Sequence, residues 1–188
     1  MAHGDLKPSN ILVQENIERT AEGIKVIDFG FSSYNSTDED FVRVAKTEPW
    51  EAPEWHSRGF TLEQAKSMDI YSFGLVCMWL FFREETLVDL GFPSITVATA
   101  FTKQDTEATV KLQELKKSGD DLLAYTLRLL ERKSELGDDT RARLRQILIL
   151  ALALDPEKRP SSMDPFIELS RRSKHPTYDS PSFFYDIH

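Results

Sequence analysis

Apolar and polar positions divide the chain into a short front part with strand character and a longer back part with helical periodicity. Ile11 to Val13 and Ile24 to Ile27 are short runs rich in β-branched residues, separated by the polar stretch Gln14 to Gly23. That pairing predicts a small antiparallel hairpin with a long loop. After Asp28-Phe29-Gly30 comes a segment rich in Ser, Asn, Thr and Asp, including the triplet Asp38-Glu39-Asp40. It has no apolar period and reads as loop as far as Trp50. Met68 to Phe82 is the longest apolar run, and a run apolar on all sides predicts a buried helix at the centre of a helical layer. Further helices are expected around Asp105 to Lys117, Asp120 to Lys133 and Thr140 to Leu154. Leu122, Leu123, Leu127 and Leu130 form one stripe that should face a core, and the all-apolar run Ile147 to Leu154 should be largely buried. A last helix is expected to begin at Ser161 or Ser162, with Asp164 as capping-box partner of Ser161 and Pro165 in the first turn. Beyond Ser170, Arg171-Arg172-Ser173-Lys174 leads into a segment ending near Phe183-Phe184-Tyr185, which reads as a loosely held tail.

Composition narrows the classes. With 188 residues, 40% hydrophobic and 29% charged, the chain has the makings of one globular domain or one large piece of a bigger one. Met68 to Phe82 spans 15 residues and carries Asp69, short of the roughly 20 apolar residues that cross a bilayer, so no membrane span is expected. Lys and Arg number 23 against 31 acidic residues, and a net charge of -8 argues against general nucleic-acid binding, which needs a basic surface. Cys77 is alone and cannot form an internal disulfide, and no signal pattern precedes His3. An intracellular, soluble location, cytoplasmic or nuclear, is therefore expected. His56, His175 and His188 lack metal-like spacing with cysteine or acidic neighbours, which argues against a zinc site.

The candidate chemistry is concentrated near the start. His3-Gly4-Asp5-Leu6-Lys7-Pro8-Ser9-Asn10, followed 18 residues after Asn10 by Asp28-Phe29-Gly30 and then by Ala52-Pro53-Glu54, resembles the catalytic half of a eukaryotic protein kinase. Thr47, Asp69-Ile70-Tyr71-Ser72-Phe73-Gly74 and Asp155-Pro156-Glu157-Lys158-Arg159-Pro160 follow in the family's order. The resemblance implies a serine/threonine kinase that uses ATP and Mg²⁺ to phosphorylate protein substrates, a reaction that needs positioning and charge cancellation more than covalent help. It implies that Asp5 orients the attacking hydroxyl and accepts its proton, that Lys7 neutralises the γ-phosphate, and that Asn10 and Asp28 supply oxygen ligands to Mg²⁺. Lysine at position 7 in Asp5-Leu6-Lys7-Pro8-Ser9-Asn10 is similar to the serine/threonine branch. His3 is implied as a scaffold for the Asp28-Phe29-Gly30 turn, with no proton-transfer role. Thr47 is implied to bond Asp5 or Lys7, with Trp50 packing beneath it. Glu54 and Arg159 are implied as a buried ion pair, and Asp69 as an acceptor from the catalytic-loop backbone, although a plain helix cap would also account for Asp69.

Two departures alter the expectation. Gly4 stands where many kinases carry an arginine that pairs with a phosphorylated loop, so dependence on a phosphate at Ser32, Ser33, Ser36 or Thr37 should be weak. Asp5 is the fifth residue and no GxGxxG occurs, so the expected unit is the C-terminal large lobe without the N-terminal lobe. The fold class expected is α+β, mainly α: a small β-hairpin plus a helical bundle over 1–172, and a flexible tail over 173–188. Such a lobe should be weak or inactive alone and should present apolar surface to a partner that covers the exposed face. A non-catalytic kinase-like protein that binds or regulates another protein is the alternative, and an unstable fragment a third.

Overall fold

Backbone pairing begins where the β-branched residues cluster. In the computed structural model, which describes residues 1–15, 21–34, 41–89, 110 and 112–171, strand β1 (Ile11–Glu15) pairs antiparallel with β2 (Ala21–Val26). The register sets Ile11 against Val26 and Val13 against Ile24, with an irregularity between Gln14 and Glu15. Leu12, Val13, Ile24 and Val26 are all substantially exposed, so this ribbon carries apolar side chains that the described residues leave uncovered. Residues 27–34 and 41–61 form loop and turns, with isolated bridges between Ala2 and Ser33 and between Val42 and Phe60. Asp38-Glu39-Asp40, much of the helix expected around Asp105 to Lys117, and the tail over 173–188 lie outside the described residues; within the second of these, residues 112–117 are helical.

Helix α1 (Leu62–Asp89) is the hub of the helical part. It starts six residues before the expected Met68, and the cause is a reciprocal cap. The Thr61 amide donates to Gln64 Oε1 at 2.9 Å, and the Gln64 amide donates to Thr61 Oγ1 at 3.2 Å, satisfying two otherwise orphaned donors. Phe82 leaves helical geometry at φ −133°, ψ 17°, which bends the element where the apolar run ends. Leu80 and Phe81 are exposed, so burial does not extend round the whole helix at that point.

Helices α2 (Asp121–Arg132) and α3 (Asp138–Ala151) pack on α1 and on each other. The core joins Trp50, Met68, Tyr71, Leu75, Met78 and Phe82 to Leu122, Leu129, Leu130, Leu144 and Leu148. The buried stripe of α2 is Leu122, Thr126, Leu129 and Leu130; Leu123 and Leu127 are only half-buried, which corrects the expected stripe by rotating it about the helix axis. In α3 the expected all-round burial is also corrected. Leu148 and Ala151 are buried but Ile149 is 42% exposed, because only one face of α3 meets its neighbours; past the end of the helix Leu152 is buried and Leu154 is 40% exposed. Helix α4 (Asp164–Ser170) starts later than expected, and it is Ser162, not Ser161, that bonds Asp164, with Oγ to Oδ2 at 2.8 Å. It buries Phe166 against Phe73 of α1, ring centroids 5.2 Å apart. The described residues are thus mostly helical with one two-stranded antiparallel sheet. Among the described residues no helix is long and apolar enough to cross a membrane.

Gly74 allows α1 and α3 to approach this closely. A Cβ at that position would lie 2.8 Å from Ala151 Cβ and 2.8 Å from Leu152 Cδ2. Gly74→Ala gains at most about 1 kcal/mol of helix propensity but overpacks the contact, which costs roughly 1–3 kcal/mol. Urea unfolding of Gly74→Ala is expected to give a lower midpoint with an unchanged slope; a midpoint equal to or above wild type would show that the contact has slack.

Candidate active site

The loop from His3 to Asn10 is built from contacts that leave its backbone little freedom. A 3₁₀ turn, Pro8–Asn10, begins with a proline that needs no amide partner, and the Asn10 amide donates to the Lys7 carbonyl at 3.0 Å. The Ile27 amide donates to the Asn10 carbonyl at 2.9 Å, which fastens the turn to the end of β2. Asp69 fixes the other end: its Oδ2 accepts from the His3 amide at 2.5 Å and its Oδ1 from the Gly4 amide at 2.9 Å. Since α1 begins at Leu62, Asp69 lies well inside the helix and is not its cap. Burial pushes the Asp69 carboxyl above its ordinary value, opposed by these two backbone donors.

His3 works within the same frame. Its Nδ1 lies 3.3 Å from the Asp5 amide, which can only donate, so the ring proton sits on Nε2 and is given to the Ile27 carbonyl at 3.0 Å. The ring also meets Phe29, with centroids 5.2 Å apart. Gly4 adopts φ +78°, and a Cβ there would come within 2.7 Å of the Phe31 carbonyl oxygen. Any larger side chain at this position is strained as the loop stands.

Asp5 collects the polar groups. Its Oδ2 accepts from Lys7 Nζ at 2.7 Å and from Asn10 Nδ2 at 3.4 Å, while its Oδ1 accepts from Thr47 Oγ1 at 2.8 Å. Asn10 Nδ2 also donates to the Asp5 carbonyl at 2.8 Å. Asp5 and Asn10 are buried, and Lys7 is half-buried. The structure therefore brings Asp5, Lys7, Asn10 and Thr47 into one cluster. Asp28 and Gly30 lie on an exposed turn just past the Ile27 amide that bonds Asn10, and there the Gly30 amide donates to Asp28 Oδ1 at 3.4 Å. Asp28 holds φ +63°, a left-handed conformation that costs a non-glycine residue about 1 kcal/mol. Glu54 and Arg159 form a separate group. Arg159 Nη1 and Nη2 reach Glu54 Oε1 and Oε2 at 2.5 and 3.0 Å, Nε donates to the Ala153 carbonyl at 2.8 Å, and the guanidinium sits 4.7 Å from the centre of the Tyr71 ring.

The sequence reading missed a second buried ion pair. Lys116 Nζ donates to Glu51 Oε1 at 2.9 Å and to the carbonyls of Pro49 and Glu51, both at 2.7 Å, and Gln113 Nε2 donates to the same Glu51 Oε1 at 2.8 Å. Burial pulls the Lys116 amine below the ordinary lysine value, with Glu51 acting in the opposite direction. The partners are 65 residues apart and no spacing rule connects them. A lysine on a short helical stretch otherwise signals a solvated face. Cys77 is half-buried in α1, and burial pushes its thiol up to about 12, so the thiolate is disfavoured. Among the described residues no group of three or more His, Cys, Asp or Glu side chains gathers into a metal cluster.

Two expectations follow. The Arg159 side chain is fully buried and that of Glu54 is 28% exposed, so the two ends of the pair are unequal. Glu54→Ala strands a buried cation and should cost on the order of 3–5 kcal/mol, whereas Arg159→Met leaves a partly hydrated carboxylate and should cost less. Chemical denaturation of both variants checks this, and an equal or reversed order would mean that the backbone carbonyls alone hold Arg159. The second concerns pH. A carboxyl whose folded pKa is raised contributes most below its unfolded value of 3.8 and loses that contribution as pH rises through the folded value. The stability of wild type relative to Asp69→Asn should therefore fall as pH rises through the mildly acidic range. A constant difference across that range would mean that the donors from His3 and Gly4 outweigh burial.

Comparison with known proteins supports a single assignment. The chain is 30% identical over 164 residues to the ovarian-specific serine/threonine-protein kinase Lok of Drosophila melanogaster, an alignment covering 87% of this chain and 29% of that protein. It is 38% identical over 78 residues to the leucine-rich repeat receptor-like protein kinase TDR of Arabidopsis thaliana, covering 42% of this chain and 7% of that protein. It is 41% identical over 87 residues to the dual specificity protein kinase shkA of Dictyostelium discoideum, covering 44% and 15%. The chain thus spans less than a third of the length of each of these relatives. No solved structure gives a significant match. A family model for the protein kinase domain matches residues 1–168, and a chain with that extent of match, carrying a loop anchored through Asp69 and a paired Glu54 and Arg159, belongs to the protein kinase domain family.

Proposed function

We propose that this chain is the large, C-terminal lobe of a serine/threonine protein kinase and supplies the phosphoryl-transfer machinery when a small lobe completes the nucleotide site. The observation that carries the reading is the Asp5 carboxylate, held by Lys7, Asn10 and Thr47 on a loop anchored through Asp69. A carboxylate so oriented is ready to accept a proton from a substrate hydroxyl as that oxygen attacks the γ-phosphorus. Thr47 fixes which carboxylate oxygen faces the hydroxyl. Lys7 shares its ammonium with Asp5 and has a side chain that reaches solvent, so it meets the negative charge of the transferring group on the same side. A lysine in this position, two residues after the aspartate, supports hydroxyl transfer to Ser or Thr, and Lok carries that specificity in its name.

The donor set fits Mg²⁺. Asn10 commits its amide nitrogen to Asp5, which leaves the amide oxygen as the end that meets a cation, and Asp28 presents an exposed carboxylate held by Gly30; both are hard oxygen donors. Asn10 and Asp28 would hold the ion, which supplies charge neutralisation to the ATP phosphates when bound. The compartment and the protein substrates belong to the whole polypeptide. Exposed apolar side chains on the ribbon (Leu12, Val13, Ile24) and on α1 (Leu80, Phe81) are where a covering lobe or partner would pack.

The test is phosphate transfer by the native protein, captured with an antibody to Thr140 to Pro160, compared with Asp5→Asn and Asp28→Asn. Each substitution is expected to lower turnover by at least about 100-fold. Near-normal turnover in either variant overturns its assigned role. A folded wild-type protein that binds partners but transfers no phosphate favours the non-catalytic alternative.

A further inference from the structure

The segment that carries Thr47 is closed by side chains from elsewhere in the chain. The amides of Trp50 and Glu51 both donate to the Thr47 carbonyl, at 2.7 and 3.2 Å. Ser72 Oγ of α1 donates to the Trp50 carbonyl at 2.7 Å. The carbonyls of Pro49 and Glu51, on either side, each accept from Lys116 Nζ at 2.7 Å. With the Glu51 carboxylate as third acceptor at 2.9 Å, all three protons of the ammonium are used. Every carbonyl from Pro49 to Glu51 is therefore tied, two of them by one lysine. On the far side of the turn Thr47 Oγ1 donates to Asp5 at 2.8 Å.

The pair is poorly explained as a stabilising device. The Lys116 and Glu51 side chains are only 4% and 6% exposed, and removing a pair of charges from water costs about what their attraction returns. The surroundings are also incompletely satisfied, because Glu51 Oε2 and Gln113 Oε1 are buried without a hydrogen-bond partner. What the lysine supplies that an apolar side chain cannot is a fixed direction for two backbone carbonyls.

We propose that Lys116, with Glu51 as its buried counter-ion, is a positioning residue for phosphoryl transfer: it sets the Pro49 to Glu51 turn and, through Thr47, the orientation of the Asp5 carboxylate. The proposal rests on the reading of Asp5 as proton acceptor. Replacing both partners by apolar residues, Glu51→Met with Lys116→Met, removes the buried charges but leaves the Pro49 and Glu51 carbonyls without their donor, so the denaturation midpoint should fall less than in Lys116→Met alone, which also strands the Glu51 carboxylate. The same change frees the Pro49 and Glu51 carbonyls and should lower kcat by at least about tenfold with KM for ATP unchanged. Glu51→Gln keeps an acceptor for Lys116 and both carbonyl bonds, and should stay within about threefold of wild type in kcat.

Two independent readouts decide the matter. Amide hydrogen exchange on the 188-residue chain reports the turn directly: the double variant should accelerate exchange at Trp50 and Glu51 at least about tenfold, with α1 unaffected. Unchanged exchange there overturns the clamp, whatever the activity. Phosphate transfer by the native protein reports the consequence, and faster exchange with unaltered kcat overturns the positioning role. Should Lys116→Met alone fail to fold, the double variant still gives both answers. Wild-type protein that transfers no phosphate refutes the reading of Asp5 and the positioning role with it, while exchange continues to report the turn separately.

Discussion

One carboxylate inside the central helix sets the geometry of the candidate site. Asp69 sits within α1 and accepts the backbone amides of His3 and Gly4, so a loop more than sixty residues away in sequence is referenced to the helix at the centre of the core. A backbone amide held by a buried carboxylate has one favourable direction, and hydrogen bonds to a charged group contribute roughly 1.5–3 kcal/mol each. Once those amides are fixed, the His3 ring can reach Ile27, the Ile27 amide can reach Asn10, and Asn10 can turn its amide nitrogen onto Asp5. The arrangement of the loop is therefore a consequence of where α1 lies, and the position of α1 depends in turn on the apolar contacts of Met68, Leu75 and Met78 with α2 and α3.

Two further buried charges act on the segment between Thr47 and Glu54, one near each end. Lys116 holds the carbonyls of Pro49 and Glu51, and Arg159 holds the Glu54 carboxylate while bonding the carbonyls of Ala153 and Leu154. Both cations use most of their donors on backbone oxygen, which has a fixed place, and only part on a carboxylate, which has rotational freedom. This division suits a role in shape more than in net stability, since desolvation offsets much of the attraction in a buried pair. Between them Trp50 packs edge-on against Trp79, ring centroids 6.0 Å apart, and anchors the same segment to α1 by apolar contact.

How much of this was legible in the sequence differed by kind of interaction. Local patterns located the elements: the β-branched runs gave the antiparallel ribbon, and the Met68 to Phe82 run gave the core of α1. The start of α1 was written in Thr61-Leu62-Glu63-Gln64, a capping-box spacing that the apolar period does not reveal because Glu63, Gln64 and Lys66 are polar. The buried face of α2 was misplaced since Leu occupies both sides of that helix and a buried threonine, Thr126, fills a core position. Thr126 satisfies its hydroxyl on the Leu122 carbonyl at 2.7 Å, which makes it apolar toward its neighbours in a way no hydropathy pattern shows. Grouping of Asp5, Lys7 and Asn10 follows from their short separation, whereas the pairing of Lys116 with Glu51 arises only from tertiary packing and has no local signature.

Gly4 shows how the loop accommodates a residue that the family resemblance marks as unusual. Its φ of +78° and the approach of the Phe31 carbonyl leave no strain-free place for a Cβ, so the backbone path here suits glycine. An arginine at this position would have linked the loop to a phosphate added elsewhere. In its absence the same regions are joined by groups the chain already carries: the Ala45 amide donates to the Gly4 carbonyl at 2.8 Å, Ser32 Oγ donates to the His3 carbonyl at 3.1 Å, and Thr47 donates to Asp5. None of these donors gains or loses a proton near neutral pH; two of the acceptors are backbone carbonyls and the third is the Asp5 carboxylate, which Lys7 and Asn10 also hold. Residues 41–54 are thus tied to the loop by neutral donors and to the rest of the fold by two buried cations.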